Sequence, residues 1–103
     1  MSRQAAAWVA FTKPIRWVIL MPTLFFVGSF RVVIFTNDHK PAHVHALGPN
    51  GRGHAKFELG GRPKNVALVE THGIKEKALR KIGEEIINRH NECRTAWKEI
   101  HGN

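Results

Sequence analysis

The residues whose types and spacing suit chemistry are concentrated in one segment, Asn37–His45, which reads Asn-Asp-His-Lys-Pro-Ala-His-Val-His. Three of the seven histidines of the chain lie in it, at positions 39, 43 and 45. Histidine titrates near neutral pH, and its neutral imidazole binds transition metals. The segment is therefore predicted to hold proton-transfer groups or metal ligands.

The neighbouring sequence predicts the elements that position these side chains. The apolar run Arg31–Phe35 favours a strand that ends in the turn formers Asn37 and Asp38. Residues two apart in a strand share a face, so His43 and His45 are expected to point the same way. His39 lies in the connecting loop, which is expected to fold back toward that face.

One interpretation of the segment is acid–base catalysis. RNA cleavage without a metal needs one group to take a proton from the 2′-hydroxyl and another to protonate the leaving oxygen, and histidines serve both roles. His43 and His45 are the predicted catalytic pair, and His39 supports them. Basic residues near the segment are predicted to hold the phosphate: Arg31, Lys40, Arg52 and Lys56. The structural alternative is that the histidines only fix the hairpin.

The same residues favour a second interpretation, a metal site. His43 and His45 present two ligands, and His39 or Asp38 supplies a third, which makes an open site of the catalytic type for a divalent transition metal such as zinc. The chain has no C-x-x-C and no H-E-x-x-H motif. We therefore expect no cofactor, and the alternative is a divalent transition metal.

Composition narrows the class of partner. The 103 residues include sixteen Lys and Arg against eight Asp and Glu, which gives a net charge of +8 with neutral histidines. This surplus predicts a polyanion or an acidic protein as the partner. Basic residues interleaved with the phenylalanines of the predicted sheet favour RNA rather than DNA as that polyanion. The single cysteine, Cys93, excludes an intramolecular disulfide and fits a reducing cytoplasm.

An apolar stretch near the amino end does not predict a membrane span. Residues 17–27 are apolar, but Pro22 interrupts them, and Arg16 and Arg31 bound them. A membrane-spanning helix needs about 20 mainly apolar residues. We therefore expect no membrane segment here.

The pattern along the chain predicts an α+β fold. Residues 1–20 look like an extension with a short helix at Ser2–Ala10, and residues 21–103 are expected to form one domain. Short alternating runs predict a small antiparallel sheet of three to four strands, whose open edges favour a homodimer.

Beyond Gly73, apolar residues recur at steps of three and four, which predicts one long or two short C-terminal helices packed on one face of the sheet. Cys93 and Trp97 fall on the apolar stripe and are assigned to the core. His90 and His101 are expected to be solvated.

The two remaining histidines carry less information. His54 begins a predicted strand and is the best further candidate for the site, because it pairs across from His45 in this interpretation. His72 is assigned to the turn before the helix.

From Met21 onward the chain resembles a family of small bacterial proteins, the domain of unknown function 4160. The resemblance rests on Met21-Pro22-Thr23, Gly28, the strand Arg31–Phe35, the histidine segment, Gly53–Leu59 and the late helix ending near Trp97. Members usually begin at the Met-Pro-Thr and often carry two prolines where this chain has Pro41-Ala42.

The resemblance implies a component of a toxin–antitoxin system. Together with the charge, it leads us to expect a cytoplasmic, RNA-directed protein that acts as a histidine-dependent ribonuclease. The alternative is a non-enzymatic module that binds nucleic acid or a partner protein and has structural histidines.

Overall fold

The computed structural model describes residues 21–102. The predicted extension of residues 1–20, with its short helix, lies outside the described residues. Five strands are followed by two helices: β1 (Thr23–Val27), β2 (Phe30–Val33), β3 (His43–Leu47), β4 (His54–Glu58), β5 (Ala67–His72), α1 (Glu76–Asn88) and α2 (His90–His101). Short 3-10 turns at Pro49–Gly51 and Pro63–Asn65 lie in the loops before β4 and β5.

The strands form one antiparallel sheet in which each strand pairs with the next along the chain, in the order β1-β2-β3-β4-β5. The prediction of three to four strands was therefore too low. Gly28 is the reason at one end, because its positive φ of 60° allows a tight Gly28-Ser29 turn that folds the first apolar segment into two paired strands. At the other end, Ala67–His72 forms a full strand, although all six of its residues are exposed.

The core lies between one face of the sheet and the two helices, which confirms the predicted α+β class. Alternate residues of the central strands point to the helices, as the period of two in a strand requires. The buried cluster includes Val32, Val44, Ala46, Ala55 and Phe57 from the sheet and Ile82, Ile86, Cys93 and Trp97 from the helices. Cys93 and Trp97 are thus core residues, as predicted.

The helical region is interrupted at Arg89, whose φ of −108° and ψ of 28° are not helical. Asn88 and Asn91 around it are poor helix formers, so the chain ends one helix and begins the next at this point.

The two histidines of α2 are packed, not solvated as the sequence predicted. The buried His90 donates from Nε2 to the carbonyl oxygens of Leu59 at 2.9 Å and Gly60 at 3.2 Å, and so ties α2 to the end of β4. The ring of His101 packs 4.0 Å from that of Trp97.

Among the residues that the structure describes, neither helix is both long and apolar enough to cross a membrane.

Candidate functional site

The site begins with Asp38, which a turn holds beside the end of β2. The backbone N–H of Asp38 donates to the carbonyl of Phe35 at 3.1 Å, and the N–H of Phe35 donates to Oδ2 of Asp38 at 3.1 Å. This is the local bonding that makes Asp common in turns. It fixes the carboxylate beside the start of β3.

His43 and His45 lie on one face of the sheet at the start of β3, because residues two apart in a strand share a face. Both Nε2 atoms are 3.3 Å from Oδ2 of Asp38. The two residues are only 3% and 7% exposed. The structure thus brings three of the predicted site residues together at one point.

Aromatic rings pack against the two buried imidazoles. The ring centroid of Phe35 lies 4.2 Å from that of His45, and the centroid of Trp97 lies 5.2 Å from that of His43. On its other side, Nδ1 of His43 is 2.8 Å from the carbonyl oxygen of Pro41. A carbonyl only accepts, so this nitrogen carries a proton.

Burial also sets the charge of His45. Desolvation lowers the pKa of His45 below its usual value, and repulsion from His43 and His54 acts in the same direction, against the attraction of the Asp38 carboxylate. Burial disfavours the charged imidazolium, so His45 is neutral at neutral pH.

His54 extends the group toward solvent. It is the first residue of β4, opposite Leu47, and so lies diagonally across from His45 on the same face. The Nε2 atom of His54 is 3.0 Å from Nδ1 of His45. The structure therefore contains a hydrogen-bonded chain of side chains, Asp38–His45–His54, which runs from a partly buried carboxylate to a half-buried imidazole.

His72 is the next histidine in this row. It lies on β5 directly opposite His54, and the two rings stack with centroids 6.2 Å apart. His72 is exposed, and its Nε2 is 3.4 Å from Oε2 of Glu70. The sequence prediction assigned it to the turn before the helix because nothing local shows that β5 reaches this residue or pairs with β4 in this register.

The predicted phosphate-binding residues are more scattered. Lys56 lies directly opposite His45. Arg31 donates from Nη1 to Oγ1 of Thr23 at 3.3 Å. Lys40 and Arg52 are exposed loop residues.

His39 is exposed in its loop, and within residues 21–102 it forms no hydrogen bond or ion pair with the buried group. Of the four residues of the alternative metal set, the structure groups Asp38, His43 and His45, with one ligand atom of each within 4.8 Å of the others.

Comparisons with known proteins identify a family and no individual relative. The family model that matches is described as a domain of unknown function (DUF4160), and it covers residues 29–98. That range includes the whole histidine group from Asp38 to His72. No curated protein and no solved structure matches the chain.

Proposed function

The chain belongs to the DUF4160 family, and we propose that it is an RNA-directed protein that cleaves phosphodiester bonds by proton transfer at His54 and His72. The observation that carries this proposal is the hydrogen-bonded chain Asp38–His45–His54, which ends beside His72 on one face of the sheet.

The direction of each hydrogen bond in this chain follows from its first member. An ionised carboxylate only accepts, so His45 donates from Nε2 to Asp38. Because His45 is neutral, its Nδ1 has no proton and accepts from Nε2–H of His54. The Nδ1 atom of His54 is then unprotonated and able to take a proton. The Asp38 carboxylate stabilises the imidazolium that results, as in a catalytic triad.

These groups account for the two proton transfers of RNA cleavage. Nδ1 of His54 takes the proton of the 2′-hydroxyl, whose oxygen attacks the adjacent phosphorus. Protonated His72, which has Glu70 as its counter-charge, gives a proton to the departing 5′-oxygen, and a 2′,3′-cyclic phosphate is left. Lys56 lies on the same face and offsets the charge that develops on the phosphate.

The proposed catalytic residues, His54 and His72, lie closer to solvent than His43 and His45, which the sequence favoured. His43 and His45 are too buried to touch RNA, so in this proposal they orient the outer pair. The net charge of +8 supports a polyanionic substrate.

The proposal includes the toxin–antitoxin role that the family resemblance implies. A small ribonuclease in a reducing cytoplasm needs a partner that neutralises it, and an acidic protein that covers the histidine face meets that need. The unpaired Cys93 fits that compartment.

One observation favours a second candidate, a nucleic-acid-binding or partner-binding module with structural histidines. The burial of His43 and His45 against Phe35 and Trp97 is what a purely structural role requires. This candidate predicts RNA binding without cleavage.

An RNA cleavage assay in the presence of EDTA tests the proposal. Full-length protein is compared with His54→Ala, His72→Ala and the exposed helix variant Lys98→Ala as control. We expect the wild type and Lys98→Ala to cleave RNA, and each histidine variant to lose about 100-fold or more of the rate, the usual contribution of a general acid or base.

A further variant, His39→Ala, separates the sequence-based assignment from the structural one, since only the former predicts a loss. Absence of cleavage by the wild type, or full activity in folded His54→Ala protein, would contradict the proposal. RNA binding by every variant without cleavage would establish the binding module instead.

A further inference from the structure

We infer that Asp38, His43 and His45 form a binding site for one divalent transition metal ion of the zinc type. The inference concerns the inner end of the histidine row, and it holds whether or not the protein cleaves RNA.

The protonation of His43 provides the first argument. Its Nδ1 donates to the Pro41 carbonyl at 2.8 Å, so a neutral ring has a lone pair on Nε2. That lone pair faces the Asp38 carboxylate, itself only an acceptor, at 3.3 Å. Two acceptors at this distance need a cation between them. Either a second proton on His43 or a metal ion satisfies the arrangement.

The distances favour the metal ion. Hydrogen bonds between a charged imidazole and a carboxylate are usually about 2.7–2.9 Å long. Here both Nε2 atoms are 3.3 Å from the same oxygen, Oδ2 of Asp38. Ligands bound to one zinc ion at about 2.0–2.1 Å in tetrahedral geometry lie roughly 3.3–3.4 Å apart. Two of the three spacings between ligand atoms are thus those found around a shared ion, and all three ligand atoms lie within 4.8 Å of one another.

The surroundings of the three ligands are those of a metal site. A histidine that binds a metal usually donates its other N–H to a carbonyl, a carboxylate or another acceptor, which orients the ring. His43 has the Pro41 carbonyl in this position, and His45 has Nε2 of His54. The Phe35 N–H orients the Asp38 carboxylate.

The ligand types select the class of metal. Two imidazoles and one carboxylate suit zinc and other first-row transition metals, whereas Mg²⁺ and Ca²⁺ prefer oxygen ligands alone. Three protein ligands leave a coordination position open, as in catalytic sites.

Metal binding would reverse the direction of the hydrogen bond between His45 and His54. With a metal on Nε2, His45 carries its proton on Nδ1 and donates to Nε2 of His54. Nδ1 of His54 then holds the remaining proton and cannot act as a base. Under the proposed function, bound zinc would therefore inhibit cleavage, and this consequence rests on that proposed function. The inference of the metal site itself does not rest on it.

Metal binding is tested directly, without an activity readout. Full-length protein is stripped with a chelator, and Zn²⁺ is titrated in competition with a chromophoric chelator of known affinity. We expect one ion per chain in the wild type and a loss of affinity of at least about 10-fold in Asp38→Asn and His43→Gln. The matched control is His72→Ala, which removes an exposed histidine of the same row and should leave the affinity unchanged. His39→Ala should also have no effect.

Nitrogen NMR of the histidine rings in the wild type keeps the test decisive if a variant fails to fold. On addition of Zn²⁺, the Nε2 resonances of His43 and His45 should shift to metal-bound values. Three results would overturn the inference: no stoichiometric binding, a binding loss confined to the His72 or His39 variant, or a His43 ring that keeps protons on both nitrogens at neutral pH in the presence of zinc.

Discussion

At the scale of single residues, the role of each histidine depends on which partner each ring nitrogen has. His90 uses Nε2 on two backbone carbonyls and is explained by the fold alone. His43 uses Nδ1 in the same way but directs Nε2 at a carboxylate. A ring with one acceptor on each side is a ligand or a cation, and this difference separates the candidate site from the structural histidine.

Cys93 illustrates a buried group that does no chemistry. Burial raises the pKa of the Cys93 thiol from 9.0 to about 12, and the nearby Glu92 acts in the same direction. The folded protein therefore holds its proton between these values while the unfolded chain loses it. The sign follows from this: below pH 9 the thiol adds no pH dependence, and between pH 9 and 12 the free energy of unfolding falls as pH rises.

We predict that Cys93 is unreactive in the native protein, because only the thiolate attacks a disulfide reagent and the thiol is buried. At pH 8, labelling by an aromatic disulfide should be at least about 100-fold slower in buffer than in denaturant, since it requires local opening. Absorbance at the wavelength of the released thiol measures both rates. Rapid stoichiometric labelling of the folded protein would contradict the assignment of Cys93 to the core.

The sequence could predict those features of the site that depend on residues close together along the chain. The turn formers and the alternation at His43 and His45 indicated a shared face, and the nearby Asp38 was named as a ligand. His72 could not be assigned to the site, because its place depends on a pairing between strands that are joined by a loop. The prediction that His90 is solvated was wrong for the same reason, since its hydrogen-bond partners, Leu59 and Gly60, are about 30 positions away along the chain.

At the scale of elements, two glycines with the same backbone conformation make different demands. Gly28 has a φ of 60° in the β1–β2 turn, and a Cβ there would meet no heavy atom within 4 Å. Gly60 has a φ of 64° after β4, and a Cβ there would lie 2.4 Å from Cβ of Asn65. The loop that links β4 to β5 therefore packs against itself at Gly60.

We predict that Gly60→Ala destabilises the protein more than Gly28→Ala does. Both variants carry the cost of a left-handed backbone, about 1–2 kcal/mol, and only the first adds a steric clash of about 1–3 kcal/mol. Urea unfolding followed by circular dichroism measures the difference in the free energy of unfolding. Equal losses in the two variants would show that the close contact with Asn65 does not form in solution.

The number of strands shows why element counts are harder to predict than element types. The sequence predicted three to four strands, whereas the structure has five. The Gly28 turn adds a strand by dividing the first apolar segment in two, through a backbone conformation that a composition pattern does not specify. The sequence likewise predicted either one long helix or two short ones, and the non-helical φ and ψ of Arg89 divide the region into two helices.

At the scale of the whole molecule, acidic residues accompany the positive charges of the helices but not those of the loops beside β4. The helices carry lysines interleaved with Glu76, Glu84, Glu85 and Glu92. The loops at the two ends of β4 carry Arg52, Arg62 and Lys64, all exposed, and no acidic residue. If RNA follows β4 past the histidine row, as we propose, it would meet these three loop cations.

We predict that the three loop cations carry more of the RNA affinity than helix cations of equal number. Each phosphate contact with single-stranded RNA contributes a slope of about −0.7 to the logarithm of affinity against the logarithm of salt. The variant Arg52→Gln/Arg62→Gln/Lys64→Gln should therefore lower the magnitude of the slope by about 2. The charge-matched control Lys77→Gln/Lys81→Gln/Lys98→Gln should change it little. Fluorescence anisotropy of a labelled RNA over a salt series, in a His54→Ala background that does not cut it, measures both slopes. Equal slopes in the two variants would mean that RNA follows the net charge and not the β4 face.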